Sequence, residues 1–229
     1  MRTRAKLARP APAPRARRTR IEVERLRHQA LALAIEVFGT EGIEALSIRR
    51  LAEGLGVSPM SLYRHFPGKA ELLRQVWDEL LASSLRAALA AANSRDEPCE
   101  RPAAFVDGFI GYWLEHPESY LMVFTTGNEQ LAVKLGLPPY GQEQAVQEHF
   151  KAAALLIERC CPRRIDDEVM AGLLELMFCR TIGLLHPVLY FPSYPWRDID
   201  AMRRRLFDEL SREVRRALDG PAARAALRR

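Results

Sequence analysis

The sequence predicts an all-α fold, and three observations carry that expectation. Apolar residues recur at three- and four-residue spacing along most of the chain. No segment sustains a period-two alternation, and no Asn-Gly or Asp-Gly pair stands between alternating runs as a hairpin signal. Gly, Pro and Ser fall where helices would start and stop. At 229 residues with 48% hydrophobic content, the chain has enough apolar material for a real core.

The first helix is expected from Ile21 to Phe38, with Leu26, Ala30, Leu33 and Val37 on one stripe and Gly39 and Gly42 ending it. Ser47 stands as N-cap for a helix from Ile48 to Leu55, its oxygen available to the free amides of the first turn. Gly56 stops that helix. Ser58 is expected to cap the next, with Pro59 in its first position and Phe66 closing it. Pro67 then opens a longer helix to about Ala92, buried through Leu73, Val76, Trp77, Leu80 and Leu81. The polar stretch NSRDEPCERP, from Asn93 to Pro102, is the first break after Pro67. Beyond it, helices are expected from Ala103 to Glu115, Pro117 to about Thr125, about Gln142 to Cys160, Asp166 to Leu185 and Asp198 to Leu218. The segments GLPPYG and PVLYFPSYPW read as ordered turns.

Charge is distributed unevenly. The net charge is +5, yet Arg2, Arg4, Lys6, Arg9, Arg15, Arg17, Arg18 and Arg20 occur in an N-terminal segment without a single acid, so the whole excess sits there. Pro10, Pro12 and Pro14 make residues 1–20 a flexible, extended basic arm suited to a polyanion, either nucleic acid or an anionic membrane surface. It holds no apolar run of signal-peptide length. Cys99, Cys160, Cys161 and Cys179 form no C-x-x-C pair or regular framework, which agrees with buried thiols in a reducing cytoplasm. The nearly apolar run from Val169 to Leu185 contains Glu175 and Arg180. A central charge costs about 2.5–3.5 kcal/mol in a bilayer, so a buried helix in a soluble protein is expected instead.

The two short helices joined across Gly56 have the spacing of a helix-turn-helix. Ala52 is small where the helices cross, Gly56 supplies the turn, and Val57 and Leu62 plug the angle between them. Leu62 and Phe66 would point inward, leaving Pro59, Ser61, Tyr63, Arg64 and His65 on or near the open side. A helix that enters a major groove needs short side chains near its start and donors further along to grip phosphate.

The string SIRRLAEGLGVSPMSLYRHFPGKAELL, preceded by AIEVFGTEG, resembles the signature of the TetR family of bacterial transcriptional regulators, densely over about Leu33 to Leu73. The resemblance implies a helix-turn-helix DNA-binding domain over residues 21–70 and a larger helical domain over 71–220 that binds a small molecule and dimerises, with 221–229 as a tail. It also implies a homodimer on double-stranded operator DNA, a repressor released by an inducer. By the same resemblance, Ser47 and Arg49 lie near the DNA backbone, and Pro59, Met60 and Ser61 face the groove beside Ser58. Tyr63, His65 and Lys69 become phosphate contacts, and Arg64 falls to either phosphate or solvent. Each has a physical warrant, since hydroxyl and nitrogen donors and helix N-terminal amides favour an anion. Many members carry Gly or Lys where Pro59 and Met60 stand. Those two side chains cannot hydrogen-bond to bases, so readout through thymine methyls and groove shape is expected.

Fourteen of the eighteen aromatic residues follow residue 92. Most must be core, but Trp113, Tyr120, Phe124, Phe150 and Met177 are candidates for lining a pocket for a small apolar or aromatic ligand. Arg180 shares the face of Leu173, Met177 and Leu184 and needs a partner, either an acid such as Glu175 or a ligand carboxylate. Gly172, Leu176, Cys179 and Gly183 form a small-residue face that lets another helix approach. Together with the stripe Met202, Leu206, Leu210, Val214 and Leu218, they suggest a four-helix dimer interface, with intramolecular packing as the alternative. No G-x-S-x-G, G-x-G-x-x-G or Walker-type loop occurs, and the five histidines lack metal spacing, so no enzyme, cofactor or metal is expected. A basic-armed helical protein binding membranes or other proteins, or an enzyme without a recognisable motif, remain the alternatives.

Overall fold

A computed structural model describes residues 20–126, 133, 144–160 and 165–219. Among them are nine α-helices, one 3-10 turn and no strand. The helices are α1 (Arg20–Glu41), α2 (Ile48–Gly54), α3 (Pro59–Tyr63), α4 (Lys69–Asn93), α5 (Arg101–Glu115), α6 (Pro117–Thr126), α7 (Gln144–Glu158), α8 (Asp167–Tyr190) and α9 (Ile199–Asp219), with the 3-10 turn at Pro98–Glu100. The arm at 1–19, the tail at 221–229, Cys161 and the GLPPYG segment lie outside the described residues.

The N-terminal helices form around apolar residues that the sequence spaces correctly. Leu26, Ala30 and Val37 of α1 are buried, joined by Leu31 and Ala34. The expected stop at Gly39 is corrected: α1 continues to Glu41, and Gly42, at φ 81°, ends it. Gly39 serves instead as a close approach, since a Cβ there would lie 3.0 Å from the Glu118 Cγ on α6. Ser47 caps α2 as expected, its Oγ accepting from the Arg50 amide at 3.1 Å. Pro59 opens α3, but Ser58 makes no side-chain cap bond; its Oγ sits 2.9 Å from the Ser61 Oγ. Helix α4 begins at Lys69 after an extended Gly68, not at Pro67.

The polar stretch after α4 turns the chain back rather than separating two bodies, because α5 packs along α4. A Cβ on Gly108 would lie 2.6 Å from the Ala91 Cβ and 2.9 Å from the Ala87 carbonyl, so the two backbones come close. Helix α9 lies against α5, tied by an Arg203–Asp107 ion pair at 3.0 Å, and Arg95, in the link after α4, lies over the Phe207 ring of α9 at 5.2 Å.

Helix α8 starts as expected, with the Asp166 side chain accepting from the Glu168 amide at 2.9 Å. It then runs through Pro187 to Tyr190, beyond the expected end at Leu185. Leu184, Leu185 and Val188 are buried on both sides of the proline, and that burial outweighs the proline penalty of about 3 kcal/mol. By length and composition α8 could cross a membrane. The expectation of a buried helix is met on one face only: Leu173, Met177, Thr181, Leu184, Leu185 and Val188 are buried, while Gly172, Cys179 and Gly183 are exposed.

Candidate nucleic-acid interface and internal cavity

The turn between α2 and α3 is set by backbone chemistry. Gly56 takes φ 62°, a left-handed conformation that other residues resist, and the Val57 amide donates to the Ala52 carbonyl at 2.9 Å. Ala52, Leu62 and Phe66 are all fully buried, which seats α3 against α2 and the start of α4. One face of α3 is thereby left outward. Ser58, Pro59 and Arg64 are exposed, Met60 is 66% exposed and Tyr63 40%, while Ser61 and His65 are half-buried. Met60 is a large apolar side chain with little to pack on, which an ordinary solvated helix does not need.

Around α3, Ser47 and Arg49 are exposed at the start of α2, and the Ser47 oxygen is already engaged by its own helix. Arg50 pairs with Glu41 at 2.7 Å. Lys69 is half-buried, and its ammonium donates to the Ile43 carbonyl. An ammonium has three protons, so this bond holds the charge near the α3–α4 corner without exhausting it.

Gln75 went unnoticed in the sequence because a glutamine on a helix carries no pattern. Its Nε2 donates to the His65 carbonyl at 3.0 Å and to Glu71 at 2.8 Å, and its Oε1 accepts from Arg27 at 3.2 Å. The end of α3 is thus fastened to α4 and α1. The Arg74 hydrogen bond holds the Glu71 carboxyl below its ordinary pKa against the opposing effect of burial. Asp78, also bonded to Arg74 at 2.7 Å, is pushed up by burial.

A cavity of about 560 Å³, counted out to its open mouth, lies between α4, α5, α7 and α8. Phe105, Phe109, Phe150, Met177 and Phe178 supply much of its wall, with His149 and Thr181 as its polar members. Phe150 and Met177 stand where the sequence suggested. Trp113, Tyr120 and Phe124 do not line this cavity; Tyr120 and Phe124 stack, Trp113 meets both edge-on, and the Tyr120 hydroxyl meets His186 Nδ1 at 2.6 Å. Their spacing on α5 and α6 turns them into the core, where Trp113 and Tyr120 are fully buried. Arg180 is corrected too: it is half-exposed, outside the cavity lining, and forms no ion pair with Glu175.

Sequence reasoning missed Phe105, Phe109, Phe178 and both polar members of the wall, of which His149 is the more firmly held. Its Nδ1 is 2.8 Å from the Ala145 carbonyl oxygen, its Nε2 is 3.0 Å from Ser84 Oγ, and the Phe105 and Phe109 rings meet it edge-on. Burial pushes the imidazole below its ordinary pKa. Its only sequence signal is the i, i+4, i+7 apolar run Val146, Phe150 and Ala153 around it.

Of the proposed dimer residues, Gly172, Cys179 and Gly183 are exposed and Leu176 is half-buried; Cβ atoms built on either glycine meet nothing within 4 Å. Leu206 and Leu210 are corrected, since both are buried in this chain's own core. Leu206, Leu210 and Val214 are turned inward with α9 packed mainly on α5 rather than on α8, while Met202 at the start of the stripe is exposed.

Residues 30–76 match the profile of the bacterial regulatory proteins of the tetR family. It is 39% identical over 75 residues to the HTH-type transcriptional repressor DrrR1 of Streptomyces coeruleorubidus, covering 33% of this chain and 22% of that protein. It is 30% identical over 109 residues to the HTH-type transcriptional repressor KstR2 of Mycobacterium tuberculosis, covering 45% of this chain and 52% of the relative. The chain therefore spans about half, or less, of the curated relatives it matches. A solved bacterial regulatory protein in the tetR family from Rhodococcus RHA1 shares the fold, at a TM-score of 0.58 and 22% identity over 82% of this chain and 96% of that one.

Proposed function

We propose that this protein is a homodimeric transcriptional regulator of the cytoplasm that holds double-stranded operator DNA through α3 and, as a repressor, releases it when a small apolar molecule fills the cavity. The observation that carries this is the seating of α3. Its two apolar anchors are buried while Pro59, Met60, Tyr63 and Arg64 stand outward together. Pro59, Met60 and Ser61 meet base edges, with Ser58 beside them. Tyr63, His65 and Lys69, with Ser47 and Arg49 on α2, hold the backbone, and Arg64 adds charge. Residues 21–70 form the DNA-binding domain, 71–220 the ligand and dimer domain, and the arm at 1–20 adds a salt-dependent grip.

Dimerisation has its support in α8. The face of Gly172, Leu176, Cys179 and Gly183 has no neighbour at its glycines among the described residues, and an apolar helix face of this length needs a cover. A second copy of α8 supplies it, whereas a bilayer would have to accommodate the exposed Glu175 on the same helix. That both curated relatives are named repressors supports repression over activation.

Footprinting on the DNA flanking the protein's own gene tests the proposal. Protection of two half-sites related by dyad symmetry is expected, weakened uniformly across sequences by Tyr63→Phe and altered in sequence preference by Met60→Ala. No protection at low salt ends the reading.

A further inference from the structure

His149 and Thr181 are the polar residues of the cavity wall, and Thr181 already donates its hydroxyl to the Met177 carbonyl at 2.6 Å. Among the described residues the lining holds no Lys, Arg, Asp or Glu. The Thr181 oxygen can still accept, but an imidazole nitrogen is the stronger acceptor, so recognition of a ligand donor is assigned to His149. Its Nδ1 faces the Ala145 carbonyl at 2.8 Å, and a carbonyl only accepts, so Nδ1 carries a proton. Burial disfavours a second proton, which leaves the ring neutral and Nε2 a bare acceptor.

Nε2 lies 3.0 Å from the Ser84 hydroxyl on α4, which is fully buried. That hydroxyl has one proton and two acceptors within reach, Nε2 and the Leu81 carbonyl at 2.9 Å. The Leu81 carbonyl already accepts the Leu85 amide within α4, so the Ser84 proton can serve either acceptor without leaving the carbonyl unpaired.

We propose that the cavity selects an uncharged apolar molecule bearing a hydroxyl, and that this hydroxyl donates to His149 Nε2 in place of Ser84. The exchange conserves hydrogen bonds: the ligand proton satisfies Nε2, the Ser84 proton passes wholly to the Leu81 carbonyl, and no buried group loses its partner. A molecule offering only an ether or ketone oxygen sets one lone pair against another. A carboxylate enters an apolar wall with no cation to pair it. The exchange also releases the hydrogen bond between α4 and α7, so occupancy is registered on the helix whose Gln75 holds the end of α3. The inference rests on the cavity being the effector site.

Calorimetry on the full-length protein with three probes of one ring skeleton tests it: 1-naphthol, 1-methoxynaphthalene and 1-naphthoate at neutral pH. 1-Naphthol is expected to bind about tenfold or more tightly than 1-methoxynaphthalene, with 1-naphthoate weakest. His149→Phe is expected to level the first two. Ser84→Ala removes the competing donor, and is expected to tighten 1-naphthol several-fold while leaving 1-methoxynaphthalene unchanged. Equal binding of the first two to the native protein, persistence of their difference in His149→Phe, or weaker 1-naphthol binding in Ser84→Ala overturns the selection. If His149→Phe does not fold, Ser84→Ala carries the test. Ala153→Trp, which fills the cavity, isolates the underlying assumption. Loss of all probe binding supports the cavity as the site, whereas unchanged binding there, or none to the native protein, overturns the effector-site reading itself.

Discussion

Ser47 and Ser58 precede consecutive helices and look interchangeable in the sequence, yet only Ser47 caps its helix through its side chain. Ser47→Ala is expected to lower stability by about 1 kcal/mol and Ser58→Ala by a few tenths at most, read from urea midpoints. His149 gives a second residue-scale expectation. Its folded-state pKa lies below its ordinary value of 6.5, so between those two points the unfolded chain binds a proton that the native chain refuses. Stability therefore rises with pH through that window and is lost as pH falls. His149→Gln is expected to show a smaller difference in urea midpoint between neutral and mildly acidic buffer than the native protein. The outward residues of α3 were legible because a helix-turn-helix has a fixed geometry. His149 was not, because what matters about it is a contact with Ser84, 65 positions away.

At the scale of elements, helix existence could be read from periodicity, but the ends that moved did so for tertiary reasons. Gly39 looks like a stop and Pro187 looks like a terminator, yet α1 passes the first where it meets α6, and α8 passes the second because its flanking residues are buried. Gly108 shows the same dependence. It lies inside α5, where alanine would normally be the better helix former, but α4 leaves no room for its Cβ. Gly108→Val is expected to destabilise the protein by about 2 kcal/mol through forced separation of α4 and α5, measurable by chemical denaturation. A stabilised variant would mean that the two helices shift apart freely.

For the whole molecule, the proposed dimer turns on the exposed face of α8. Gly172 and Gly183 have open space before them, so a bulky charge there leaves the fold of one chain intact. Gly183→Arg is expected to yield a folded monomer by sedimentation velocity, with native helical content and weakened operator binding. A variant that stays dimeric would move the interface elsewhere. The all-helical architecture, the helix-turn-helix and the outward residues of α3 were determined by sequence alone, because they follow from local spacing, capping and one left-handed glycine. Only the tertiary structure decided that Leu206 and Leu210 face inward, that Trp113 and Tyr120 are core while His149 lines the cavity, and that Gln75 fastens α3 to α4. A helical stripe records that a face is apolar, but which helix covers it depends on how distant segments pack, and periodicity carries no information about that choice.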